Sequence, residues 1–170
     1  FKPESLKDLM SFLKEFGKNN KIYILGAGSN TLISDNTFDG IVIKLAKNFS
    51  NISLLPNDII VAGSACSDKK LSEFALANEI GGFEFLSCIP GTIGGGLRMN
   101  AGCFKREFKD ILVSIQAVNT QGEVITIPAD KILFQYRSND LSESLIFLSA
   151  SFKGQKKQKN KIEKEIIELR

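Results

Sequence analysis

The chain has 170 residues, 43% of them hydrophobic, and its 22 Lys and Arg stand against 19 Asp and Glu for a net charge of +3. That is material for one domain with a real core, or for one and a half; the charge is too small for a nucleic-acid footprint, and no apolar run nears the ~20 residues of a membrane span. Histidine is absent, which removes Ser-His-Asp and Cys-His nucleophile systems and the commonest metal ligand, so chemistry here must rest on Arg, Lys, Tyr, carboxylates or a bound cofactor. Cys66, Cys88 and Cys103 are odd in number and widely spaced, with no C-x-x-C pair. No metal site is expected, and a reduced, cytoplasmic compartment fits. The chain opens on Phe1 rather than Met and is expected to be a piece of something longer, so the lack of a signal pattern says little.

In chain order, residues 3–16 are predicted as a helix, with Leu6, Leu9, Met10, Leu13 and Phe16 on one face and Gly17 and two Asn after it as the stop. Residues 21–25 form a short β-rich run broken by Gly26-Ala27-Gly28-Ser29-Asn30. Residues 41–45 and 59–62 are the next strand candidates. A second helix is predicted over 68–78, with Leu71, Phe74, Ala75 and Ala77 as its apolar side and Gly81-Gly82 ending it. A glycine-rich stretch follows at 89–102. Residues 111–118 and 123–127 are strands joined by a hairpin-like turn at Asn119-Thr120-Gln121-Gly122, and a polar link leads to Phe134-Gln135-Tyr136-Arg137. Residues 145–152 are a last strong strand, 153–161 a Lys-rich connector, and 162–170 a helix carrying Ile162, Ile166, Ile167 and Leu169. Strands and helices without strict βαβ alternation and without an internal repeat point to an α+β fold. The Lys-rich run lacks interleaved aromatics and reads as a solvated linker and helix face.

Three segments could carry chemistry. Five of the fourteen residues 89–102 are glycine. Glycine supplies left-handed backbone and close approach, so this run is expected to contact a ligand rather than only to turn the chain. The Gly26–Asn30 segment follows a strand but fails the dinucleotide fingerprint, whose third glycine falls here on Thr31. It is either a simple strand-to-loop turn or a nest of backbone N–H groups for an anion such as a pyrophosphate, with Ser29 and Asn30 as added donors. Arg137, permanently charged and planar, suits a carboxylate or a developing oxyanion; beside Tyr136 it is otherwise an ordinary surface pair.

Taken together, Ile24-Leu25-Gly26-Ala27-Gly28-Ser29-Asn30, then Phe38-Asp39-Gly40, then Ile89-Pro90-Gly91-Thr92-Ile93-Gly94-Gly95 with Met99-Asn100-Ala101-Gly102, then Phe134-Gln135-Tyr136-Arg137 resemble the UDP-N-acetylenolpyruvoylglucosamine reductases (MurB enzymes) of peptidoglycan synthesis. The match runs in order from about Pro3 to Ser151. The resemblance implies an FAD-binding fold of the PCMH/VAO type, built of two α+β subdomains over 1–152. It further implies a linker and helix at 153–170 leading toward a C-terminal substrate domain expected to be absent, as is an N-terminal portion. The implied activity is cytoplasmic reduction of UDP-N-acetylglucosamine enolpyruvate to UDP-N-acetylmuramate, with FAD as cofactor and NADPH as hydride donor. It serves cell-wall biogenesis and with it cell shape and division, without nucleic-acid or membrane partners. Carried over by position, Gly26, Ala27, Gly28, Ser29 and Asn30 cradle the FAD pyrophosphate; Pro90, Gly91, Thr92, Gly94, Gly95, Asn100, Ala101 and Gly102 line the cofactor, and Ile146 passes near the flavin. Arg137 is implied as the catalytic arginine that polarises the substrate carboxylate, and Tyr136 as a substrate neighbour.

The chain also departs from the pattern. Asn139 stands where the family usually has serine, and Cys103-Phe104-Lys105 where it tends to show Ala-Tyr-Gly. The family's proton-donating serine motif, of the type G-S-x-F-x-N-P, and its C-terminal glutamate motif do not occur in these residues. The piece is therefore expected to bind FAD without completing the reaction. Another flavoprotein oxidoreductase of the same fold, or a non-catalytic flavin-binding module, is the alternative.

Overall fold

Ser5 decides where the first helix begins. Its backbone is extended (φ −148°) and its hydroxyl accepts the Asp8 N–H, so helix α1 runs Leu6–Phe16 and not from Pro3. Leu9 and Leu13 are its buried side. The computed structural model describes residues 1–169. Strands β1 (Ile22–Ile24) and β2 (Ile41–Ile43) pair in parallel, Ile22 opposite Ile41, and the segment between them carries the Gly26–Asn30 turn.

Strand β3 (Ile52–Leu55) was not expected. It forms a hairpin with β4 (Ile59–Gly63), turned by Asn57 and Asp58 at φ 61° and 57°; Asn and Asp tolerate this left-handed backbone. Helix α2 (Asp68–Ala77) is capped by the Ser67 hydroxyl and stops at Asn78, ahead of the two glycines. Strand β5 (Ile80–Gly81) follows, and then helix α3 (Ile93–Arg98) inside the glycine-rich stretch. Strands β6 (Gly102–Cys103) and β7 (Arg106–Glu107) form a tight hairpin. Strands β8 (Leu112–Val118) and β9 (Val124–Pro128) pair around the expected turn. A second tight hairpin, β10 (Phe134–Gln135) with β11 (Ser138–Asn139), has Tyr136 and Arg137 at its tip. Strand β12 (Ile146–Lys153) leads to β13 (Gln155–Lys156), which pairs with β5, and to helix α4 (Lys159–Glu168). Two elements therefore occupy part of the run expected to be a connector, and Arg170, the last residue of the expected helix, lies outside the described residues.

The main sheet is antiparallel, in the order β3-β4-β12-β8-β9. Its central strand serves two cores. Ile146 and Leu148 join Leu9, Leu13, Ile43, Phe49 and Val118 in the smaller one. Phe147, Ala150 and Phe152 join the larger one, with Ile60, Leu71, Phe83 and Phe108. Strict alternation would not put residues 147 and 150 on one side; a register shift between Phe147 and Ser149 changes the parity, as a bulge does. This is the physical content of two α+β subdomains. The smaller core lies under α1 and the β1–β2 pair; the larger lies against α2 and α3, with edge-on ring contacts between Phe83 and Phe152 and between Phe85 and Phe108.

Candidate functional site

The two glycine-bearing segments meet. The Ser29 hydroxyl donates to the Pro90 carbonyl at 2.5 Å, and the Asn30 amide donates to the Met99 sulfur at 2.9 Å. A Cβ on Gly26 would stand 2.8 Å from the Thr92 hydroxyl oxygen. The side chains of Ser29 and Asn30 thus fasten the turn to its neighbour. The backbone N–H groups of residues 26–30, by contrast, donate to no acceptor among the described residues. Gly28 is left-handed (φ 82°), with nothing within 4 Å of where a Cβ would be. Consecutive free N–H groups on an exposed turn form a concave anion nest.

The glycines at 89–102 divide into two kinds. Gly94 donates its N–H to the Ser64 carbonyl at 2.9 Å, and a Cβ there would stand 3.0 Å from the Ser64 Cβ. Gly96 faces the Phe108 ring so closely that a Cβ would collide with it, and Gly102 lies against the Arg106 carbonyl in the same way. These three let α3 and the β6–β7 hairpin pack. Gly95 is exposed, and a Cβ there would meet only the Thr92 hydroxyl at 3.6 Å. Gly91 lies over a carboxyl oxygen of Asp68, 2.9 Å from its Cβ position. The run is therefore part packing device and part open surface, which its composition could not separate.

Under this junction lies a group the sequence did not single out. Asp68 is fully buried at the start of α2, and neither carboxyl oxygen has a partner among the described residues; the Ser64 and Ser72 hydroxyls are likewise unpartnered there. Burial pushes the Asp68 carboxyl up to about 7 because the charged form is poorly solvated there. The only sequence signal was its place after the capping Ser67. Cys66, also buried, has its thiol pushed up to about 11 by burial, which makes it a packing group rather than a nucleophile.

At the C-terminal end of α3 the structure clamps the Tyr136–Arg137 hairpin. Asn100 is fully buried with φ 41°. Its amide donates to a Glu107 carboxylate oxygen at 3.0 Å and to the Gln135 carbonyl at 3.2 Å, and its oxygen accepts the Lys109 N–H at 3.1 Å. Asn139 donates to the carbonyls of Leu97 and Arg98 at 3.0 and 2.9 Å, satisfying the free end of α3. Arg98, also missed from sequence, donates to the carbonyls of Leu141, Ser142 and Leu145 at 2.7–3.1 Å and lies over the Phe147 ring.

Arg137 itself is half-buried at φ 57° and donates to the Gly102 carbonyl at 2.7 Å. It borders a cleft of about 490 Å³ with Tyr136 and the β6–β7 hairpin. Glu107, in this cleft, is held below the usual carboxylate range, first by its hydrogen bond from Lys109 and then by Asn100 and Arg137. The Gly26–Asn30 turn reaches toward the same end of α3, where Asn30 bonds Met99 three residues before Gly102. Ala101 is fixed by its backbone, its N–H on the Gly96 carbonyl and its carbonyl accepting the Phe108 N–H. The structure thus brings together Gly26–Asn30 with Pro90–Thr92, and Asn100–Gly102 with Tyr136 and Arg137. Ile146 it places elsewhere, buried in the smaller core.

A family model described as an FAD binding domain matches residues 1–128. The chain belongs to the FAD-binding domain family. A curated UDP-N-acetylenolpyruvoylglucosamine reductase from Pelagibacter ubique is 72% identical over all 170 residues, which make up 56% of that relative. Among solved structures, the UDP-N-acetylenolpyruvylglucosamine reductase (MurB) of Thermus caldophilus superposes with a TM-score of 0.87 at 25% identity, over 99% of this chain and 59% of that one. Cholesterol oxidase from Brevibacterium sterolicum superposes at 0.67 and 14% identity over 91% of this chain and 34% of that one, a likeness of fold alone. The resemblance read from the motifs and the PCMH/VAO-type fold it implied are borne out. The chain spans a little over half the length of the curated relative and of the Thermus protein.

Proposed function

We propose that this chain is the FAD-binding part of a cytoplasmic UDP-N-acetylenolpyruvoylglucosamine reductase, which uses NADPH to reduce the enolpyruvyl ether of the UDP-sugar in peptidoglycan synthesis. The observation that carries the reading is the run of free N–H groups at residues 26–30, set against the Pro90–Thr92 backbone. Two further features fit FAD. The open faces of Gly28 and Gly95 leave room for a flat or phosphate-bearing group, and the unpartnered Asp68 carboxyl beneath the junction is a spare hydrogen-bonding group. When bound, FAD supplies the hydride-transfer chemistry.

Residues 26–30 hold the pyrophosphate by backbone donors, while Pro90, Gly91, Thr92, Gly94, Gly95, Ala101 and Gly102 shape the surface beside it. Arg137 presents a guanidinium that a substrate carboxylate takes over from the Gly102 carbonyl, so that negative charge developing on the enolpyruvyl group is stabilised. Asn100 and Asn139 fix its hairpin to α3, and Tyr136 stands beside the substrate. Residues 1–152 form the cofactor domain, and 153–170 lead toward a substrate domain. The proton-donating serine and the glutamate implied by the resemblance belong to that remaining length.

The test is turnover of the full-length protein, followed as NADPH oxidation that depends on the UDP-sugar enolpyruvyl ether. Arg137→Ala should lower kcat by orders of magnitude while the flavin absorption stays. Unaltered turnover in that variant would remove Arg137 from the reaction, and no substrate-dependent oxidation in the parent protein would overturn the reading.

A further inference from the structure

The β6–β7 hairpin turns on Phe104 and Lys105, whose φ values are 51° and 61°. A two-residue hairpin turn with both central residues left-handed is the type that strongly favours Asn-Gly. Neither Phe nor Lys suits it, and nothing in the chain compensates: the Phe104 ring is more than half exposed, and Lys105 makes no side-chain hydrogen bond or ion pair among the described residues. Opposite it, the β10–β11 hairpin turns on Tyr136 and Arg137, with Tyr136 82% exposed and Arg137 again left-handed. The two turns line one cleft, and each presents an aromatic ring and a cation to it. The other cations at the cleft are matched, Arg106 with Asp110 at 3.6 Å and Lys109 with Glu107 at 2.8 Å. Among the described residues, Lys105 and Arg137 are the two cations of the cleft without a carboxylate ion pair. Strained backbone with no structural return marks a place where a ligand is contacted.

We propose that Lys105 is a second anion contact of this cleft, taking a phosphate group of a nucleotide that enters beside Arg137, with the Phe104 ring as an apolar face against a ring of the same nucleotide. The inference rests on the reading of the chain as a reductase of nucleotide substrates. Two sources supply the same chemistry, the UDP-sugar and the nicotinamide nucleotide. Lys105 meets the phosphate as a mobile point charge, so its contribution is sensitive to salt.

The test uses the full-length, FAD-loaded protein and isothermal titration with UDP-N-acetylglucosamine and with NADP⁺. Lys105→Gly is expected to weaken one of the two ligands about tenfold at low salt and to raise Tm by a few degrees, since glycine relieves the turn. Lys105→Arg should keep the affinity. A loss confined to the UDP-sugar assigns the contact to the sugar nucleotide, and a loss confined to NADP⁺ assigns it to the hydride donor. Dissociation constants within twofold of the parent for both ligands, in a protein that keeps its yellow colour, would overturn the inference and leave the reductase reading standing. A parent protein that takes up no FAD overturns that reading instead. A Tm at or below the parent's contradicts the strained turn.

Discussion

Asp68 shows how much one residue can say once its surroundings are known. Its carboxyl is buried and unpartnered, with a raised pKa of about 7. The folded state therefore holds a proton that the unfolded chain releases near the ordinary value of about 4. Between those limits the native state binds more protons than the unfolded one, so stability falls as pH rises from about 4 to about 7 and levels off above. The slope approaches about 1.4 kcal/mol per pH unit at most. Urea unfolding of the flavin-free protein at pH 4.5, 6 and 8, compared with Asp68→Asn, should show the parent losing stability across this window relative to the variant. Parallel curves would mean that the carboxyl finds a partner. At the same scale, Asn100→Ala should remove the three hydrogen bonds of a fully buried amide, to Glu107, to the Gln135 carbonyl and from the Lys109 N–H, costing about 1–3 kcal/mol. In the full-length enzyme it should lower turnover by loosening the Arg137 hairpin, measurable as a fall in kcat with little change in FAD content.

Among the elements, α3 is the least expected. Three glycines in a six-residue helix are unfavourable by about 1 kcal/mol each relative to alanine, and the reading of 89–102 as a ligand loop followed from that composition. The helix forms because its glycines allow close packing: Gly96 on the Phe108 ring and Gly94 on Ser64. This gives a paired prediction. Gly96→Ala should destabilise the protein by about 1–3 kcal/mol through overpacking, read as a lower denaturation midpoint. Gly95→Ala, whose Cβ would meet only the Thr92 hydroxyl at an ordinary contact distance of 3.6 Å, should leave the midpoint unchanged or raised and weaken FAD. Equal effects on stability from both would remove the division into packing and ligand-facing glycines. The turn at 119–122 was legible in sequence because it rests on local backbone chemistry, and so was the break at Gly26–Asn30, read equally as a plain turn or a nest; the hairpin that carries Tyr136 and Arg137 was not expected. Strand β3 was within reach, since Pro56-Asn57-Asp58 is a turn signal following a β-rich run. Arg98, Asn139 and Asp68 were not, because their partners are distant in the chain and nothing local marks them.

The whole molecule is organised around β12, whose bulge lets one strand face two cores. The Gly26–Asn30 turn lies along α3, held by Ser29 to Pro90 ahead of the helix and by Asn30 to Met99 at its C-terminal cap, while Gly102, just beyond that cap, accepts from Arg137. The far end of the chain is tied back by Lys157, which bridges Glu84 at 3.0 Å and Glu165 of α4 at 2.5 Å; this fixes the direction in which α4 leaves the domain. Fold class and family were readable from motifs in order, whereas the two-core arrangement needed the register of the central strand. The central claim, that the free N–H groups at residues 26–30 hold the pyrophosphate of FAD, is tested most directly by titrating FAD into flavin-free protein and following the flavin absorption bands. The account predicts saturable uptake of one FAD per chain, lost or severely weakened in Gly28→Val, whose left-handed backbone a branched side chain cannot adopt without strain. A protein that takes up no FAD, or a Gly28→Val variant that binds it as tightly as the parent, would contradict it.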